Sequence, residues 1–145
     1  MTPGTLFFDR HFRFHDGEEG QKFLIALGTA HGVTIVVKTT SQARRFRNDS
    51  GCQAEHRFPN FHLVKGCCCL PKPTWVCLDE YYEFKDSELL QRHFSGDINR
   101  RGALPDPITI ELMECALRSD DISPRQNNIV QTALDAFRAA PAENQ

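Results

Sequence analysis

Apolar residues in the first half of the chain fall into short runs separated by turn residues, the spacing expected of a compact antiparallel barrel or sandwich. Residues 5–9 and 10–14 alternate in part, 22–27 and 33–39 are strongly strand-like, and 61–65 and 74–78 follow. Asp16-Gly17 and His31-Gly32 supply turn chemistry between them, because glycine reaches positive φ without steric cost. The pattern predicts roughly five or six strands. Residues 41–60 are polar and rich in Arg, Asn, Asp and Gly, which predicts a long, mobile loop of the kind that often carries function.

After Phe84 the period becomes helical. Ser87 is placed to cap a short helix through Phe94, with Leu89, Leu90 and Phe94 on its buried side. Asp106-Pro107 predicts a second helix, ending near Ser119, with Ile108, Leu112, Cys115 and Ala116 on one face. Ser123-Pro124 repeats the start signal, and Val130, Ala133, Leu134 and Phe137 form a stripe at helical spacing. The fold class is therefore mainly β with C-terminal helices (α+β). Residues 1–120 form one domain with its helices, and 121–145 form a helical extension with a frayed tail.

Composition changes this picture little, since the 40% apolar and 25% charged content is ordinary, although eleven Phe against one Trp point to a Phe-rich β core. Charge matters more. A net charge of -2 lacks the basic excess of most nucleic-acid binders, so any such site must be a local patch. No run approaches the roughly 20 apolar residues of a membrane span, and the N-terminus lacks a signal-peptide core, so the sequence predicts a cytoplasmic protein with no membrane contact. In that compartment the six cysteines are expected as reduced thiols or metal ligands rather than disulfides.

Two segments carry a family resemblance. Gly20-Gln21-Lys22-Phe23-Leu24-Ile25-Ala26-Leu27 is similar to the glycine, basic residue and apolar strand of the first catalytic segment in the MazF/PemK toxins of type II toxin-antitoxin systems. Val36-Val37-Lys38-Thr39-Thr40-Ser41 resembles the strand with a Thr/Ser-rich end that supplies the second. Pro73-Thr74-Trp75-Val76-Cys77-Leu78-Asp79 looks like the later strand and acidic turn, and Gly102-Ala103-Leu104-Pro105 leads into a helix as in that family. Lys22 stands where the family more often has arginine, and Phe23 where it has proline.

The resemblance implies an SH3-like small antiparallel barrel, a homodimer, a cognate antitoxin as partner, and endoribonuclease activity on single-stranded RNA. It implies no metal or other cofactor, the ribose 2′-hydroxyl attacking the adjacent phosphate. Lys22 would be the cation, with Thr39, Thr40 and Ser41 donating hydroxyl hydrogen bonds. The plainer reading of these residues is a solvated lysine and a strand end. Arg44, Arg45 and Arg47 interleave with Phe46 as in single-strand binders, and His15, with His11 close by, is of the residue type best suited to proton transfer near neutrality and a candidate for RNA contact. Cys52, His56, His62 and Cys67 form a loosely spaced zinc candidate without paired CxxC knuckles, and free thiols are the competing reading. The alternatives to a toxin are a catalytically silent SH3-like binding module and a small regulatory or phage-encoded protein whose charged loops meet another protein.

Overall fold

The computed structural model describes residues 1–42, 46, 49–64 and 70–140. Eight strands and three helices occur in the order β1 (Thr5–Arg13), β2 (Glu19–Ala30), β3 (Val33–Thr40), β4 (Gly51–Gln53), β5 (Asn60–Leu63), β6 (Thr74–Cys77), β7 (Tyr82–Lys85), α1 (Asp86–Phe94), β8 (Ile98–Ala103), α2 (Asp106–Arg118) and α3 (Pro124–Ala139). The runs 5–9 and 10–14 are one strand, because the polar residues between them sit at a bulge in the β1–β2 ladder, between Asp9 and Phe12.

All pairing is antiparallel, along the path β4-β5-β6-β3-β2-β1-β8. β3 is shared: its first half, Val33–Val36, pairs with β7, and its end, Thr39 and Thr40, pairs with β6. The sheet is open among the described residues, since no pairing there joins β4 to β8. A closed barrel was the expectation, and the observed class is the coarser one, an antiparallel sheet with three helices.

The central strands bury both faces. Leu6, Ile25, Leu27, Ile35 and Val37 pack with Leu112, Met113, Val130 and Leu134 of α2 and α3. The alternate positions Phe7, Leu24, Ala26 and Val36 pack with Phe12, Tyr82, Phe84, Leu89 and Ile98 on the other side. This two-sided burial explains why β2 and β3 read as continuous apolar runs. The β2–β3 turn places His31 at φ 55° and Gly32 at φ 76°, the conformation favoured by a two-residue hairpin.

Three helix expectations need correction. Ser87 lies inside the first turn of α1, and Lys85 occupies its N-cap position without a side-chain bond. Leu89 is buried, but Leu90 is 58% and Phe94 79% exposed, because only a narrow face of α1 meets the sheet. Asp106 lies inside the first turn of α2, and Pro105 occupies the N-cap position without a side-chain bond. The third start signal holds: Ser123 Oγ accepts from Gln126 N while Ser123 N donates to Gln126 Oε1. In α3, Ile129, Val130, Ala133 and Leu134 are buried in the main core. The loop expected over 41–60 contains β4, and Cys52 within it is bonded to Cys115 of α2. Residues 141–145, expected to fray, lie outside the described residues. No helix among those described is long and apolar enough to cross a membrane.

Candidate functional site

The β2–β3 ladder sets Leu24 opposite Lys38, so the start of β2 and the end of β3 emerge side by side. A cavity of about 530 Å³ opens there, lined by Lys22, Thr39, Thr40 and Ser41 together with Phe23 and Lys72. Thus the four residues of the two sequence segments meet in one place. Lys72 enters from the turn before β6, where Thr74 Oγ1 donates to Lys72 O at 3.1 Å. Among the described residues no carboxylate lines the cavity, and the titratable side chains there are the two lysines.

The hydroxyls differ in what they have left to give. Thr39 is buried and donates to Phe23 O at 2.8 Å, which locks the β2–β3 ends together and commits its proton. Thr40 Oγ1 accepts from Gln42 N at 3.2 Å and so keeps its own proton for a ligand. Ser41 is exposed at the rim. Burial lowers the pKa of the Lys22 ammonium below its ordinary value; the Cys77 thiol opposes the shift and the Lys38 charge adds to it.

Behind the cavity, Lys38 pairs with Glu80 at 2.9 Å, and Tyr82 Oη donates to the same carboxylate at 2.9 Å. Burial works to raise the Glu80 carboxyl, but the bonds from Lys38 and Tyr82 prevail and hold its pKa low. Asp9, opposite Lys22 in the β1–β2 ladder, is fully buried and gripped through both oxygens by Arg92 of α1.

His15 stands apart from this site. Its ring stacks on Tyr82 at 4.0 Å, Nε2 meets Tyr81 O at 2.9 Å, and it lines a different cavity with His11, Glu19, Glu83, Glu88 and Asp97. Phe46 stacks on Trp75 at 6.2 Å, and Trp75 on His62 at 4.5 Å. Arg44, Arg45 and Arg47 lie outside the described residues. The zinc candidates are overturned at Cys52, whose sulfur is spent in the bond to Cys115, with Cα atoms 5.6 Å apart. His56 Nδ1 accepts from Phe58 N at 3.0 Å, and Cys67 lies outside the described residues. Among the described residues no group of three or more His, Cys, Asp or Glu is placed to hold a metal.

Sequence reasoning missed Lys72, which sits in the proline-flanked stretch Pro71-Lys72-Pro73 with no periodic signal. It also missed three arginines beside the cavity, Arg10, Arg100 and Arg101, because two belong to the polar edge strand β8. No protein-family model matches the chain, and no curated protein matches it.

Proposed function

We propose that the chain binds single-stranded RNA and cleaves it at the Lys22 cavity, as a MazF/PemK-like endoribonuclease on an opened SH3-like barrel. The observation that carries this reading is the convergence of Lys22, Lys72, Thr40 and Ser41 in one depression that no carboxylate lines among the described residues. Two cations and two hydroxyl donors suit a phosphodiester whose non-bridging oxygens gain charge during reaction, and fixed donors of this kind are usually the largest catalytic contribution.

In the proposed reaction the ribose 2′-oxygen bonds to phosphorus as its proton passes to solvent water. The bond to the 5′-oxygen breaks, and that oxygen takes up a proton from solvent water. The products are a 2′,3′-cyclic phosphate and a 5′-hydroxyl. Lys22 and Lys72 neutralise the phosphate oxygens, while Thr40 and Ser41 donate to them. Thr39 acts as a positioning residue, since its hydroxyl is held by Phe23 O. No step calls for a metal. A homodimer and an antitoxin partner belong to the same reading.

That hydroxyl commitment also favours a second reading, a module that binds RNA without cutting it, because one of the three family hydroxyls is unavailable to substrate. The deciding experiment is incubation of the purified protein with mixed single-stranded RNA and a chelator, followed by mapping of the new ends. Cyclic phosphate and 5′-hydroxyl ends that persist in chelator are expected. Intact RNA at full protein binding would establish the silent module instead.

A further inference from the structure

Beyond the cavity, a second depression of about 520 Å³ continues across β1 to β8 and shares Phe8 and Gln21 with the first. Its cations are Arg10, Arg100 and Arg101, all exposed. Most other described cations are neutralised: Lys38, Arg92, Arg118, Arg125 and Arg138 each hold a carboxylate. Among the described residues Arg10, Arg100, Arg101, Lys22 and Lys72 make no such pair. In a chain of net charge -2, most of the unpaired positive charge among the described residues is thus gathered around these two depressions, with Arg57 and Lys85 the exceptions.

Aromatic rings lie between the two cationic groups. Phe8 and Phe23 face each other across the β1–β2 ladder with centroids 5.0 Å apart, and Phe23 remains 39% exposed. The Arg101 guanidinium lies 5.4 Å over the Phe8 ring. From Lys72 and Thr74 to Arg101 the surface crosses β6, β3, β2, β1 and β8, which are neighbours in the sheet. At about 4.8 Å per inter-strand step the strip runs roughly 19 Å, room for a few nucleotides of an extended strand.

We infer that Arg10, Arg100 and Arg101, with Phe8 and Phe23, form a second subsite that holds the single-stranded RNA flanking the phosphate in the Lys22 cavity. The inference rests on the proposed function for its substrate class. Arginine forks suit phosphate oxygens, an exposed ring offers a base a stacking face, and both together are the recurrent apparatus of sequence-tolerant single-strand binding. An acidic peptide would satisfy the arginines but leave the exposed Phe23 face without a role.

The test uses labelled 2′-O-methyl RNA, which lacks the attacking hydroxyl, as strands of about 3 and about 12 nucleotides, with the full chain, an R10Q/R100Q/R101Q variant and Phe23→Ala. The long strand should bind the parent tightly and the triple variant about 10- to 100-fold more weakly, and the salt slope should fall by about 2 for three lost phosphate contacts at roughly 0.7 each. The short strand should bind both alike. Phe23→Ala should weaken the long strand without changing its salt slope. Should the triple variant not fold, the single variants Arg100→Gln and Arg101→Gln carry the same comparison.

Equal affinity and slope for parent and arginine variants, with cleavage of ordinary RNA intact, would overturn the subsite and leave the proposed function standing. Loss of long-strand binding in the variants, with no cleavage by the parent, would uphold the subsite and reject the nuclease. An acidic peptide that displaces the long strand and binds independently of Phe23 would assign the strip to a protein partner and overturn the inference.

Discussion

At the scale of single residues, the informative feature is a lysine kept partly out of water. Burial disfavours the Lys22 ammonium, and Lys38 adds repulsion, so its folded pKa lies below that of an unfolded lysine. Folding therefore binds fewer protons at this site, and the contribution of Lys22 to stability is greatest above the unfolded pKa and declines as pH falls through the folded value. Lys22→Met should melt no lower than the parent at neutral pH, as calorimetry would show; a clear loss of stability would mean the ammonium has a stabilising partner. Under the proposed reaction the charged form is the active one, so cleavage should decline as pH rises through the lowered pKa. Lys22→Arg should shift that decline upward because arginine stays protonated. Lys38→Met, which removes the neighbouring like charge, should shift it upward too. An alkaline limb unmoved by either substitution would exclude Lys22 as the titrating group.

The legibility of the site is also a residue-scale matter. Lys22, Thr39, Thr40 and Ser41 were singled out through the family resemblance, and they meet in one cavity because the β2–β3 hairpin brings the ends of two apolar strands together. Lys72 and Arg101 were not singled out, because a proline-flanked turn and a polar edge strand carry no periodicity to anchor them.

At the scale of elements, β7 and β8 escaped sequence reading for different reasons. β7 has four residues, alternately buried and exposed, directly abutting a helix, and β8 has only Ile98 buried among its six residues. The bond between Cys52 and Cys115 was illegible because 63 residues separate them, and only the packing of β4 against α2 brings them close. It also tethers a segment that sequence reading took for a loop. Reduction, or Cys115→Ala, should cost about 2–4 kcal/mol, the usual range for a native disulfide. Melting with and without a reductant, compared with Cys77→Ala as a control that leaves the bond intact, measures this; an unchanged melting temperature on reduction would refute it.

The contact of α3 with β2 is a second element-scale device. Gly28 sits at a register shift in the β2–β3 ladder, and a Cβ there would lie 2.3 Å from that of Ala133. Helix and strand touch at this point only because glycine has no side chain. Gly28→Ala should destabilise the protein by about 1–3 kcal/mol through overpacking. Adding Ala133→Gly should recover part of that loss although glycine is unfavourable within a helix, so the double variant should cost less than the sum of the singles. Additive losses in denaturant titrations would contradict the close approach.

At the scale of the whole molecule, the sheet divides its work between two faces and one margin. α2 and α3 cover one face, α1, β7 and the phenylalanines of β1 cover the other, and the ends of β2 and β3 emerge at the margin with their polar residues. The overall class was legible because both covered faces impose apolar periodicity, whereas barrel closure depends on edge pairing that no local pattern encodes. Charge is arranged on the same plan. Carboxylates neutralise cations over most of the described surface, and most of the unpaired positive charge lies at the margin, Arg57 and Lys85 excepted, where the net charge of -2 would otherwise oppose a polyanion.

The proposed function requires the Lys22 cavity to be the place where a phosphodiester is held and cut. Its most direct measurement is the rate of RNA cleavage by Lys22→Ala beside the parent and Lys22→Arg, with thermal melting of all three to confirm the fold. Losing one preorganised charge from such a site should slow cleavage by about 10²–10³-fold, while Lys22→Arg retains substantial activity. Cleavage by folded Lys22→Ala at the parental rate would contradict the account.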